Sequence, residues 1–362
     1  MKVATGLAQG YSADAHVAAR AVAAAMEKAD LAIVHSVLLF LTQEFARDPH
    51  PAILAASKTA NCTQVMGATA AGIFTDEDWI LDSPAAAAMV LGDGVWLEPR
   101  LAGSHEEPVL SLAAPPALDV AWLSQPGLRF GGVSGDSTGR GPFKVWGSGK
   151  IASAGRCDAL IRGARGAIDV SQGIRALGAP AEVTAVNGHD LLALGTQRAL
   201  DVLSQELPPE VRELDRIPLH LLMAGVVFGE PTTAVADGRF RLTPIIAANA
   251  DDESVTLSTR LHPGEKLFWA VRQPSAAEHS MRGMLDRLAS RVETPRFGLF
   301  FPCMGRGPYF YGGVDRDLDL VKERFPAMPV IGFYGNGEIG PLQGLSQLFQ
   351  YSAVLGLFSE HV

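Results

Sequence analysis

The chain is poor in cysteine: 362 residues hold three, Cys62, Cys157 and Cys303, with no CxxC pair and no regular spacing. A disulfide framework is therefore not expected, and a reducing, cytoplasmic setting fits. Basic residues are also short, 30 Lys and Arg against 39 Asp and Glu, for a net charge of -9. That balance argues against nucleic acid or an anionic membrane as partner, since both require a basic footprint. The longest uncharged run, Ile339 to Phe358, is interrupted by Pro341, Gln343, Ser346, Gln347, Gln350 and Ser352. It predicts strand and loop, and no membrane insertion is expected. Asp14 and Arg20 follow the amino terminus before any signal-like apolar block forms.

Catalytic and cofactor signatures are absent as well. The nine histidines include no HExxH, HxxxH or CxxCH pattern, so no metal or covalent haem is expected. A non-covalent haem needs one axial His, Cys or Tyr and stays as an alternative. Gly147-Ser148-Gly149-Lys150 is too short for a phosphate loop, and Gly132-Val133-Ser134-Gly135 falls one residue short of a nucleophile elbow.

What is present is a soluble composition, 48% hydrophobic and 19% charged, long enough for about two domains. Helix and strand patterns alternate. An alanine-rich helix is expected from Ser12 as N-cap to Asp30, a buried strand over Leu31–Phe40, a helix from Pro51 and a strand at Val65. Strands are expected at Ala86–Leu91, Val95–Ala102 and Phe143–Ile151, with a glycine-rich loop at 131–142. In the second half, Asp190 is the expected N-cap of a helix to Leu207, and strands are expected at 217–228, 240–247 and 266–271. Ser275 and Glu278 are spaced as a capping box, before a stripe of Met281, Met284, Leu285 and Leu288. A strand at 297–301, a helix at 315–325 and a strand at 329–333 follow. Val65-Met66-Gly67 and Val330-Ile331-Gly332 echo one another, each with a strand about 36 residues before its glycine. The expected fold is mixed α/β: two related domains, 1–168 and 169–362, of extended sheets covered by helices, with an internal duplication.

The densest chemistry lies between Phe301 and Pro341. Cys303 either fills the core as a small hydrophobe or becomes a thiolate beside Arg306. Arg306 and Glu338 either clamp a zwitterionic or carboxylate ligand or satisfy each other. Tyr334 and Asn336, beside Gly335 and Gly337, offer a stacking face and hydrogen bonds. The charges of 315–323 are expected on a solvated helix face.

Phe301-x-Cys303-x-Gly305-Arg306-Gly307 followed by Gly332-Phe333-Tyr334-x-x-Gly337-Glu338-Ile339-Gly340-Pro341 resembles the FIST C-terminal domain. Gly264-Glu265-Lys266-Leu267-Phe268, Val271-Arg272 and Asn187-Gly188 add to it. Gly67-Ala68-Thr69-Ala70-Ala71-Gly72 and Phe130-Gly131-Gly132 are similar to the FIST N-terminal domain. The resemblance implies a non-enzymatic sensor of small, amino-acid-like ligands in intracellular signal transduction, with Cys303, Arg306, Tyr334, Asn336, Glu338, Gly67 and Thr69 as ligand-binding candidates near the domain junction. It also implies a separate signalling partner such as a histidine kinase, reached through inter-domain rearrangement. A haem-based nitric oxide sensor and an enzyme using Cys303 are the alternatives. Ile174, in Ser171-Gln172-Gly173-Ile174-Arg175, stands where similar sequences often carry cysteine.

Overall fold

The computed structural model describes residues 1–101, 104, 106, 108–212, 214 and 217–361. The chain forms two compact units, Met1–Ser171 with Met281–Val362, and Gln172–Ser280. The break expected after 168 lies beside the first unit boundary, while the second half of the chain is shared between both units.

Unit 1 uses one strand plan three times. The first copy runs β1 (Lys2–Gln9), α1 (Ala15–Ala29), β2 (Ser36–Thr42), α2 (His50–Ala60), β3 (Val65–Ala70), a hairpin of β4 (Gly72–Thr75) and β5 (Trp79–Leu81), and β6 (Ala85–Gly92). The second runs β7 (Trp96–Pro99), β8 (Val109–Ala113), α3 (Val120–Leu123), β9 (Arg129–Val133), β10 (Val145–Gly147), β11 (Lys150–Ile151) and β12 (Arg156–Arg162). The third opens with β13 (Ala164–Ser171) and is then interrupted by unit 2.

Unit 2 contains β14 (Ile174–Ala176), β15 (Ala181–Asn187), β16 (Asp190–Leu194), β17 (Gln197–Arg198), α4 (Ala199–Glu206), α5 (Pro209–Arg212), β18 (Leu222–Val227), α6 (Pro231–Ala234), β19 (Phe240–Asn249), β20 (Ser254–Leu257) and β21 (Lys266–Arg272). Its strands run β14-β21-β15-β16-β20-β19-β18, and β18 also pairs with β21, which closes six of them into a barrel. Trp269, Leu203, Val183 and Val255 fill its core. The helix expected from Asp190 begins instead at Ala199. Asn187 pairs with Asp190 across the Gly188-His189 turn, and Gly188 adopts φ +62, so a two-residue turn with glycine at its first position makes a hairpin.

The third copy resumes with α7 (Pro274–Arg291), β22 (Phe297–Pro302), α8 (Arg316–Arg324), β23 (Val330–Tyr334), the hairpin β24 (Glu338–Leu342) and β25 (Leu345–Phe349), and β26 (Ala353–Glu360). Each copy contains a parallel pair, β2/β3, β8/β9 or β22/β23, flanked by an antiparallel return strand, β6, β12 or β26. Each hairpin then crosses to another copy's sheet: β4 pairs with β23, β10 with β3 and β24 with β9. Three interlocked six-stranded sheets result.

The echo between Gly67 and Gly332 thus extends to a third member, Gly131. These glycines face Leu39, Phe300 and Ser111 across the parallel pairs. An added Cβ would lie 1.7, 1.7 and 1.9 Å from those residues' carbonyl oxygens, a separation no side chain tolerates. Gly131 and Gly132 are strand residues, so the glycine-rich loop expected from 131 starts after Val133.

The sheets' inner faces share one core, in which Phe40, Phe130, Phe301, Phe333 and Phe358 interlock; the Phe40 and Phe333 rings lie 4.9 Å apart. Outside, α1 and α2 cover the first sheet through Val17, Ala21 and Ile53. The expected stripe Met281, Met284, Leu285 and Leu288 covers the third, beside Leu318 and Val321 of α8. Asp14, rather than Ser12, caps α1 by accepting the His16 N–H at 2.8 Å, a contact worth about 1 kcal/mol.

Candidate functional site

At one end of unit 1 each copy turns from its first parallel strand into a short 3₁₀ turn. The residue entering the turn is Thr42, Ala114 or Cys303. The neighbouring parallel strands end here too. Ser134 donates its hydroxyl to the Thr69 carbonyl at 2.6 Å, and the Asn336 N–H donates to the Val133 carbonyl at 2.9 Å. Cys303 bridges to Gly335. The structure therefore gathers Thr69, Asn336, Cys303 and Glu338 around the ends of β3, β9, β22 and β23. Asn336 is exposed, whereas Cys303 and Glu338 are buried. Gly67 lies deeper in β3, under the Trp146 ring.

Glu338 is the anomaly of this end. The residue after each close-approach glycine pairs with a crossing hairpin: Ala68 with Val145, Phe333 with Ile73, Gly132 with Glu338. Two copies thus place an apolar residue where the third places a carboxyl group. Glu338 is completely buried. Its Oε2 accepts from the Ser352 N–H at 3.1 Å and the Ser352 hydroxyl at 2.6 Å, while its Oε1 has no hydrogen-bond partner. Burial pushes its pKa up to about 8, against the lowering effect of Ser352 and Cys303. The Cys303 thiol is raised well above its ordinary range, chiefly by burial and then by the Glu338 charge, although the backbone N–H groups of Gly305 and Tyr351 act the other way. Arg306 therefore does not make Cys303 a thiolate.

Arg306 is paired with Asp317. Its Nε and Nη2 hold Asp317 at 2.7 and 3.1 Å, and Nη1 and Nη2 donate to the Ser171 carbonyl and hydroxyl at 2.8 Å each. Burial pulls the guanidinium pKa down, but Asp317 outweighs it and the net shift is upward. Tyr311 donates to the same carboxylate at 2.9 Å. Tyr334 packs on Phe74 with centroids 5.1 Å apart and donates its hydroxyl to Asp315, which also caps α8 through the Leu318 N–H. Burial pushes Asp315 up to about 6.

Asp315 and Asp317 thus correct the expectation of a solvated helix face, because both are buried. Their alternation with Leu318 and Leu320 looked like a charged surface in sequence. Ser171, Ser352 and Ser134 also escaped sequence reasoning, since an isolated serine carries no signal of a buried partner.

No group of three or more metal-ligating side chains occurs among the described residues. Four cavities defined by the described residues of unit 1 lie away from Cys303 and Glu338.

Residues 199–341 match the FIST C domain family. The matched stretch is shorter than half of the chain. It runs from the start of α4 into β24 and contains Cys303, Arg306, Tyr334, Asn336 and Glu338; Gly67 and Thr69 lie outside it. An uncharacterized protein of Mycobacterium bovis is 30% identical over 232 residues, covering 63% of this chain and 59% of that protein. An uncharacterized protein of Mycobacterium tuberculosis is 28% identical over 232 residues, covering 63% and 60%. Human F-box only protein 22 is 37% identical over 73 residues, covering 19% of this chain and 17% of that protein. The chain spans about three-fifths of the length of these mycobacterial relatives. Among the described residues, no helix is long and apolar enough to cross a membrane.

Proposed function

We propose that this chain is a FIST-domain, non-enzymatic, small-ligand-binding sensory protein of signal transduction, with Glu338 and Cys303 at the centre of its ligand site and Thr69 and Asn336 at its rim. The observation that carries this reading is Glu338: a carboxyl group held dry, with one oxygen unpartnered, where two equivalent positions hold Ile73 and Val145. A buried polar atom left unsatisfied costs about 1–3 kcal/mol, and a partner supplied by a ligand would recover that energy. An ammonium group, as in an amino-acid-like ligand, would displace the proton that burial keeps on this carboxyl group and pair with the resulting carboxylate. Arg306 and Tyr334 belong to the scaffold in this reading, because Asp317, Ser171 and Asp315 already engage them. A nucleophilic role for Cys303 is disfavoured by the upward shift of its thiol.

Ligand binding would bias the chain between two arrangements of its units and so change the surface offered to a separate signalling protein, such as a histidine kinase. Nucleic acid and membrane have no part in the proposal, and the site of action is cytoplasmic. The test is a thermal-shift screen of amino acids and related amines, followed by calorimetric titration of the wild type and Glu338→Gln. Saturable binding that weakens at least about tenfold in the variant is expected. Failure of every amine to stabilise the protein, or equal binding by both proteins, overturns the proposal.

A further inference from the structure

The three seams between neighbouring sheets in unit 1 are unequal. At two of them the crossing hairpin packs against a long outer strand, β4 on β1 and β24 on β13. Those outer strands pair with their return strands over eight residues each. At the third, β7 pairs with β12 only from Trp96 to Pro99, opposite Arg162 to Ala159. Among the described residues no strand continues β7 past Arg100, whose N–H donates to the Asp158 carbonyl at 3.1 Å, and the β10–β11 hairpin meets β12 itself. A cavity of about 310 Å³ opens there. An adjoining cavity of about 590 Å³ shares Gln64, Leu97 and Pro99 with it.

The walls are mostly apolar: Met66, Leu97, Ile151 and Ala159 line the cavity beside Gln64, Ser148 and Ser153, and Cys157 packs against the central core. Burial pushes the Cys157 thiol up to about 12, so it acts as a neutral wall. Two charged residues also line it. The Asp158 carboxylate is engaged by Ser111 at 2.6 Å, Trp122 at 3.2 Å and Arg129 at 3.3 Å. Lys150 is exposed and makes no ion pair among the described residues. An apolar slot of this size with one uncommitted ammonium group at its mouth has the form of a small-molecule site with a single orienting charge.

We propose that the open seam between β7 and β11 binds a small amphipathic carboxylate, its apolar body between Leu97 and Ala159 and its carboxylate on Lys150. This site is separate from the Glu338 cluster and does not depend on it. Calorimetric titration of the full chain with octanoate and with octylamine, at physiological ionic strength where charges beyond about 8 Å are screened, tests it. Saturable one-to-one binding of octanoate is expected, about tenfold tighter than octylamine. Lys150→Glu should reverse that preference, and Ala152→Trp, which fills the cavity wall, should weaken both. Glu338→Gln should leave octanoate binding unchanged, so failure here and failure of the sensor reading are separable. The proposal is overturned by equal binding of the two probes, by binding of neither, or by unaltered octanoate affinity in Lys150→Glu. Lys150→Gln provides the same readout if the charge reversal lowers stability.

Discussion

Ser352 gives Glu338 two hydrogen bonds, one from its backbone N–H and one from its hydroxyl, and both end on the same carboxylate oxygen. The other oxygen is left to the buried space beside Cys303. This one-sided satisfaction has a consequence for pH. The folded protein holds the Glu338 proton up to a pKa of about 8, against 4.5 for an ordinary glutamate. Between those values the unfolded chain releases a proton that the folded chain keeps, so stability falls as pH rises through this window and levels off above it. At about 1.4 kcal/mol per unit, the loss has an upper bound of about 5 kcal/mol. Glu338→Gln should match the wild type near pH 4.5 and exceed it above pH 8 in urea denaturation. Coincident pH profiles would show that Glu338 is not a buried acid. Asp315, raised to about 6, adds a slope of the same sign that persists in the variant.

Arg306 and Asp317 form a buried pair with side chains 2% and 0% exposed. Removing one member leaves the other uncompensated, at a cost of about 3–5 kcal/mol. Arg306→Met and Asp317→Leu should each lower the unfolding free energy measured in urea by that amount, and the double variant should recover part of the loss. Strictly additive losses would deny the coupling.

Gly67, Gly131 and Gly332 should be equally intolerant of alanine, since each added methyl would penetrate a neighbouring carbonyl. A loss above about 4 kcal/mol is expected for each, an exceptional size for one methyl group. Gly147→Ala, whose Cβ would meet Cys157 at an ordinary 3.4 Å, is the control and should cost far less. Thermal melts of the four variants make the comparison; a mild Gly131 variant would break the threefold equivalence.

Unit 2 enters and leaves close together. The Gly173 N–H donates to the Ser280 hydroxyl at 3.3 Å, and Ile174 pairs with Arg272. Its core is its own. Replacing 174–279 with a short glycine-serine linker should leave unit 1 folded and cooperative, as read by near-ultraviolet circular dichroism and calorimetry. A molten product would mean that the three sheets require the insertion.

Much of unit 1 was legible locally. The apolar runs at 85–92, 297–302 and 330–334 are buried on both faces and so carry the continuous pattern of interior strands. The α7 stripe shows helical period directly. The second copy was harder to see, because β7 and β11 are short and the glycine of β9 sits in a segment whose later glycines do form a loop. β1 was missed altogether: Lys2–Gln9 mixes Ala, Thr, Gly and Gln, and it is a strand because α1 packs closely on it and β6 pairs with its full length.

For the site, sequence alone determined which residue types gather on two glycine-bounded turns, and enough of their order to carry the similarity of residues 199–341 to the FIST C domain family. Tertiary structure decided the partners. Asp317, eleven residues from Arg306, took the guanidinium that charge complementarity alone would have allowed Glu338 to take. Glu338 was carried by a crossing hairpin into a dry position beside Gly132, which is apolar in the other two sheets. Side-chain chemistry is written in the chain, but the desolvation that raises Glu338 and the pairing that neutralises Arg306 depend on which strands meet, and only the closed fold fixes that.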